Sequence, residues 1–238
     1  MKSLTKAIAV ASLASVSTAA MAVEGLSTTI GLVSDYNYRG VNLGDAGATV
    51  SVDYTAGGFY VGVWAINDGG TSESLDLSGN VVNDGNAVSG EDGLEYDTYL
   101  GWGGEFGGVE VGIGYTRYDY TYTSNYENEI NLSAGVAGFG LAVALGTAED
   151  KENGADDDYT VIDLSYSNGA FGVLLGQVDV DDADVEWKRL ELSYSAEIGG
   201  ADATATYGRT FDAEVGGADQ TSFASDYLVL SLSKSFDL

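Results

Sequence analysis

The chain has 238 residues, with 37 acidic against nine basic side chains, a formal net charge of −28, and no histidine, cysteine or proline. Such a balance excludes nucleic-acid binding, because displacing counterions from phosphates requires clustered Lys and Arg. Without Cys or His the chain has no disulfides, no thiolate or imidazole metal sites and no Ser-His-Asp hydrolysis. Its 34 glycines and 16 tyrosines point to β-structure and away from a disordered acidic polymer.

Residues 1–22 read as a cleaved secretory signal. Lys2 and Lys6 precede an apolar run, and Ala20-Met21-Ala22 supplies the small-x-small cleavage pattern. The run is too short and wrongly flanked for a spanning helix. Sec-type export is expected, with the mature chain starting near Val23. No cysteine follows the signal, so no lipid anchor is expected.

Residues 23–238 read as one domain built from alternation. The run Thr28 to Arg39 is expected as the first strand, with Ile30 and Leu32 on one face and Asp35, Asn37 and Arg39 on the other. Further strands are expected over 48–54, 59–66, 94–102, 109–118, 130–136, 139–146, 159–166, 171–178, 186–194, 201–209 and 227–238. "GGEFGG" is read as a glycine turn ahead of Val109. That makes about twelve strands, most near the nine-to-eleven-residue length that crosses a bilayer when tilted.

Short glycine turns, such as Ala56-Gly57-Gly58 and Gly199-Gly200, alternate with longer acidic connections, such as "TAEDKENGADDD". Outer-membrane barrels sort their connections this way, with short turns in the periplasm and long loops outside. The fold expected is therefore all-β: a transmembrane antiparallel up-and-down barrel of about twelve strands. Alternation alone is symmetric between a membrane barrel, apolar outside, and a soluble ligand-binding barrel, apolar inside. The signal, the sorted connections and the Tyr and Trp near strand ends favour the membrane. The final strand agrees, with Leu228, Leu230, Leu232, Phe236 and Leu238 on one face and serines on the other.

The segments "SDYNYRGVNLGD", "VSVDYTAGGFYVGVWAIND" and "LEYDTYLGWGGEFGGVEVGIGYTRYDY" resemble the TorF family of outer-membrane porins. The similarity is densest between Gly31 and Tyr122 and looser beyond Glu127. It implies a barrel and a pore without implying a particular solute. Family members commonly carry Tyr-Pro after "YDY", where this chain has Thr121-Tyr122, a difference read as belonging to a loop.

Parity directs Asp35, Arg39, Asp53, Glu95, Asp97, Glu110, Glu129, Asp163, Arg189 and Glu191 to the lumen. There they would line a pore or constriction, with Arg39 and Arg189 toward the outer mouth. Arginine suits the task because its planar fork bonds a carboxylate through two donors. The same charges could instead form a salt-bridged plug in a narrow barrel. Arg117, Lys188 and Arg209 fall on the lipid side near the outer rim, where they could meet lipopolysaccharide phosphates or snorkel to water. The acidic loops "NDGNAVSGEDG" and "EDKENGADDD" read as solvated first, since neither completes a calcium-loop spacing, with weak calcium or magnesium binding as the alternative. No cofactor and no resident metal is expected.

The function expected is a porin-like channel in the outer membrane of a Gram-negative cell. It would pass small hydrophilic solutes by passive diffusion, with a cation preference set by lumen carboxylates. Its partners would be outer-membrane lipid, lipopolysaccharide, the barrel-assembly machinery during biogenesis and small solutes, with no nucleic acid. A structural or adhesive barrel with a blocked lumen and a soluble periplasmic ligand binder are the alternatives. No motif supports an enzyme.

Overall fold

In the computed structural model, residues 25–67, 74–75, 81–82, 93–151, 154–181, 185–219 and 225–238 are described. The segment expected to be a signal, residues 1–22, and most of the acidic stretch between Asn67 and Gly93 lie outside them. Alternation resolves into twelve barrel strands. They are β1 (Gly25–Val33), β2 (Gly47–Ala56), β3 (Phe59–Asn67), β4 (Leu94–Phe106), β5 (Val109–Tyr120), β6 (Tyr126–Val136), β7 (Phe139–Asp150), β8 (Ala155–Asn168), β9 (Phe171–Val180), β10 (Val185–Ile198), β11 (Ala201–Val215) and β12 (Asp226–Asp237). Each pairs antiparallel with the next, and β12 pairs with β1 from Ser27↔Asp237 to Val33↔Ser231. The sheet is closed, so its backbone groups find partners without water.

Two-residue turns at Gly57-Gly58, Gly107-Gly108, Ala137-Gly138 and Gly199-Gly200 have positive φ at both positions. That is the type I′ geometry whose twist matches the flanking strands. These turns share one end of the barrel with the start of β1 and the end of β12, and the longer connections occupy the other end.

The faces settle which way the barrel is turned. Along β2, Val50, Val52 and Tyr54 are 45, 46 and 52% exposed, whereas Ser51 and Thr55 between and beyond them are buried. Leu100, Ile113, Leu132, Leu164, Leu192 and Leu230 likewise point outward. An apolar exterior around a polar interior overturns the soluble-barrel alternative, which needs the reverse. At the turn end the exterior carries an aromatic girdle: Phe139 packs on Tyr166 (4.6 Å), Phe171 on Tyr194 (5.1 Å) and Trp102 on Phe106 (6.0 Å). Amphipathic rings of this kind sit at a membrane–water boundary.

Two sequence expectations are corrected. The first strand does not run to Arg39 but stops at Val33. The Ser34 hydroxyl accepts from the Leu230 amide (2.9 Å) and donates to Asp35 (2.8 Å), capping the strand end. The chain then forms a separate hairpin, Tyr36–Tyr38 against Val41–Gly44. Alternation continues through that hairpin, so the break carries no signal in the period. Likewise only Gly107-Gly108 of "GGEFGG" turns, and Gly103 to Phe106 remain in β4, paired with β5. Most other strands extend a few residues beyond their expected ends.

A charge on the lipid face tests this inside-out arrangement. Leu100→Arg, at the middle of β4, should destabilise the barrel in lipid vesicles by about 2–4 kcal/mol. Denaturant titration of the vesicle-inserted protein checks it; a negligible change would mean that Leu100 is not in contact with lipid.

Candidate functional site: a hairpin across the lumen

The hairpin 36–44 folds into the barrel, and its bonds run to walls far from its own strand. Tyr36 donates to Glu95 on β4 (2.7 Å), Tyr38 to the Tyr118 hydroxyl on β5 (3.0 Å), and Arg39 to Glu129 on β6 (2.6 Å). At the tip, Trp187 Nε1 on β10 donates to the Arg39 carbonyl (2.9 Å) and Thr210 Oγ1 on β11 to the Gly40 carbonyl (2.7 Å). Burial foremost, with the Glu95 carboxylate next, pushes the Tyr36 hydroxyl well above its ordinary pKa, so it remains a donor.

The turn itself is unusual. Arg39 and Gly40 have φ of 53° and 85°, and the Gly40 amide bonds Asn37 Oδ1 (3.2 Å). A type I′ turn favours Asn or Gly at both central positions, and any other residue there costs on the order of 1 kcal/mol. Arg39 occupies it because its side chain has a specific destination. The guanidinium is buried between Glu129 and the rings of Tyr38 (4.6 Å to the centroid) and Tyr159 (5.7 Å). Gly40 is required by contact as well as by φ: a Cβ there would stand 2.6 Å from Thr210 Oγ1.

Below the tip lies a second ion pair. Arg189, fully buried, gives Nη2 to both oxygens of Asp163 (2.7 Å each), reaching from β10 across β9 to β8. Gly176 makes the crossing feasible, since a Cβ there would meet both partners at about contact-breaking distance, 2.5 Å from Asp163 and 2.6 Å from Arg189. Glu191 Oε1 is 3.3 Å from Arg189 Nε, an ion pair without hydrogen-bond geometry, and accepts from Tyr227 (2.8 Å). One register step toward the outer mouth, Ala144, Val161, Val178 and Trp187 form an inward apolar row on which the tip rests.

Apart from Asp35, the acidic positions named from parity face inward on the strands, but they do not form one site. Asp53 (held by Ser51 and Tyr99), Glu95, Asp97 and Glu129 belong to the wall from β2 to β6. Asp163, Arg189 and Glu191 form the opposite group on β8 and β10. Asp35 lies in the bend after β1, and Glu110 is exposed near the turn end, away from both groups. Arg39 reaches the lumen from the hairpin tip, a correction to its expected position on a strand. Arg117, Lys188 and Arg209 face outward, each beside an aspartate: Asp119 (2.8 Å), Asp212 (3.2 Å) and Asp226 (3.8 Å). Arg117 also lies over the Tyr126 ring (3.7 Å).

Sequence reasoning missed Glu127, Tyr118, Tyr159, Trp187 and Thr210. Glu127 accepts from Tyr120 (3.3 Å) and Tyr159 (3.1 Å). It shares parity with Glu129 and would have been found had β6 been started at Tyr126. The inward tyrosines carried a different signal, a glycine on the neighbouring strand. Tyr159 lies over Gly146, Tyr99 over Gly62 and Tyr227 over Gly208, each ring filling the space a Cβ would take.

No protein-family model matches the sequence, and no curated protein matches it. Solved structures do. The KdgM porin aligns with a TM-score of 0.51 at 10% identity, over 88% of this chain and 99% of that one. A chain from "Unveiling the Mechanism Behind the in-meso Crystallization of Membrane Proteins" aligns at 0.55 and 10% identity, covering 89% and 83%. Pseudomonas aeruginosa OccK9 (OpdG) aligns at 0.45 and 13% identity, and this chain spans 64% of its length. At these identities the alignment with the KdgM porin shows a shared fold: this chain has the same closed antiparallel barrel.

The Arg39–Glu129 pair is testable by a double-mutant cycle. Arg39→Asn keeps a residue suited to the turn. It removes one partner of a buried pair, which should cost up to about 3 kcal/mol. Adding Glu129→Gln should recover part of the loss, because the leftover charge goes too. Denaturant midpoints in detergent give the coupling; additive effects would show that the two side chains do not interact.

Proposed function

We propose that the protein is an outer-membrane porin-like channel for small hydrophilic solutes, narrowed by the hairpin 36–44 and preferring cations. The observation that carries this reading is the combination of an apolar exterior with a carboxylate-rich lumen crossed by a loop bonded to both walls. A wall carrying Asp53, Glu95, Glu127 and Glu129 holds a negative potential, and Arg39 offsets only part of it. Carboxylate rings favour cations over anions in this way. The fold shared with the KdgM porin supports the channel role and the outer-membrane location. Membership of the TorF family is part of the same proposal and rests on the three segments quoted above. Sec-type export, folding by the barrel-assembly machinery and contact of the outer rim with lipopolysaccharide follow from that location.

A second reading has a specific observation behind it. Arg39 and Gly40 are buried, and the apolar row beneath the tip fills one side of the barrel. A barrel closed in this way would act through its loops and conduct nothing.

Planar-bilayer recording separates the two. The wild type should conduct, and replacing 36–44 by a short Gly-Ser linker should raise conductance several-fold. Arg39→Asn should shift the reversal potential in a salt gradient toward stronger cation preference, with the shift shrinking as ionic strength rises. A silent wild type that conducts only once the hairpin is removed would establish the blocked barrel. Unchanged selectivity in a conducting Arg39→Asn channel would remove Arg39 from the permeation path.

A further inference from the structure

Nearly every base in the barrel is held by a carboxylate. Inside, Arg39 pairs with Glu129 and Arg189 with Asp163. At the loop end, Arg117 pairs with Asp119, Lys151 with Glu149, Lys188 with Asp212 and Arg209 with Asp226. Lys234 is the exception. It has no carboxylate partner among the described residues, in a chain with 37 acids.

Lys234 belongs to the lipid-facing side of β12. It is in register with Ile30 of β1 and stands between Leu232 and Phe236, and all three of these neighbours are exposed. A lysine rooted among such residues lays its stem along them and carries the ammonium to a rim. Here the rim is the turn end. Nζ lies 5.7 Å from the centre of the Phe236 ring and 3.6 Å from the place a Cβ on Gly200 would take. No other atom comes within 4 Å of that place, and none comes within 4 Å of the corresponding place at Gly199. The ammonium therefore borders open space over the Gly199-Gly200 turn.

The charges around it are sorted by face. Glu105, Glu110, Glu197, Asp202 and Asp237 are the acids of the turn end, and all take the lumen side of the alternation. Glu105 stands opposite Glu110, Glu197 opposite Asp202, and Asp237 opposite Ser27. On its lipid side this rim thus carries a cation and, among the described residues, no acidic side chain. The loop end is the reverse, with Asp119, Glu149, Asp212 and Asp226 beside its outward bases. Only the turn end offers a membrane headgroup an uncommitted positive charge. One ammonium balances one phosphodiester, whereas the several phosphates of lipopolysaccharide call for a cluster of bases.

We propose that Lys234 binds the phosphate of a glycerophospholipid in the leaflet at the turn end, with an acyl chain lying along Ile30 and Leu232. The glycines of the adjoining turn leave the headgroup its space. This inference rests on the outer-membrane reading but not on conduction, because a silent barrel would hold the same lipid.

Native mass spectrometry of the full barrel in detergent, with dioleoyl phosphatidylglycerol added, tests it apart from any channel recording. The wild type should retain a bound lipid that Lys234→Gln loses several-fold and Lys234→Arg keeps. The difference should shrink as salt rises. Gly200→Asp should lose the lipid too, since aspartate tolerates the left-handed turn position and sets a carboxylate beside Nζ. Gly107→Asp adds the same charge at another turn, with nothing within 4 Å of its Cβ, and should retain the lipid. Equal retention by wild type and Lys234→Gln overturns the proposal. If Lys234→Gln does not refold, equal retention by wild type and Gly200→Asp overturns it. A Lys234-dependent preference for lipopolysaccharide over the phospholipid does so as well, by assigning the turn end to the other leaflet.

Discussion

Closure of the sheet is the constraint on which the rest depends. In hydrocarbon an unpaired backbone amide or carbonyl costs several kcal/mol, so a spanning sheet must have no open edge. The β12–β1 ladder meets that requirement, and the period-two alternation follows from it: one face of every strand meets lipid and the other meets the lumen. A barrel of twelve strands then encloses a space that is wide for side chains alone to fill. The hairpin 36–44 enters that space, and the lumen residues are organised around it.

The interior is built as two walls with different chemistry. From β2 to β6 it is acidic, and tyrosine hydroxyls hold the carboxylates in position. From β7 to β11 it is partly apolar, with the Asp163–Arg189 pair beneath Trp187. The hairpin joins the two, bonding carboxylates and a hydroxyl through side chains on one side and offering backbone carbonyls on the other. Paired glycines and tyrosines keep the rings flat on the wall. The high content of both residue types therefore reflects packing inside the barrel as much as strand formation.

The barrel was legible because alternation, turn chemistry and sorted connections all agree. Even the inward set was largely readable, since parity survives errors of a few residues at strand ends. The hairpin was not legible, for a definite reason. Tyr36, Tyr38 and Arg39 continue the alternation of β1, and neither the bend at Ser34-Asp35 nor the turn at Arg39-Gly40 breaks the period. Arg-Gly is also not a pair that marks a type I′ turn, because the arginine is there for Glu129. The inward valines of β9 and β10 were missed likewise: Val173 and Leu175 face lipid while Leu174, Val178 and Val180 face inward, so the strand has no polar face to read.

The anchors of the hairpin are widely separated along the chain. Arg39 meets Glu129 at a separation of 90 residues, Trp187 at 148, and Gly40 meets Thr210 at 170. Contacts that distant are formed late, because the loop-closure entropy must be met before they contribute. The hairpin is made early in the chain and can meet β4 to β6 first, yet its tip cannot latch until β10 and β11 are in position. Latching of the tip is thus a marker of completed assembly: a barrel still lacking its last strands has a first loop held on one wall alone.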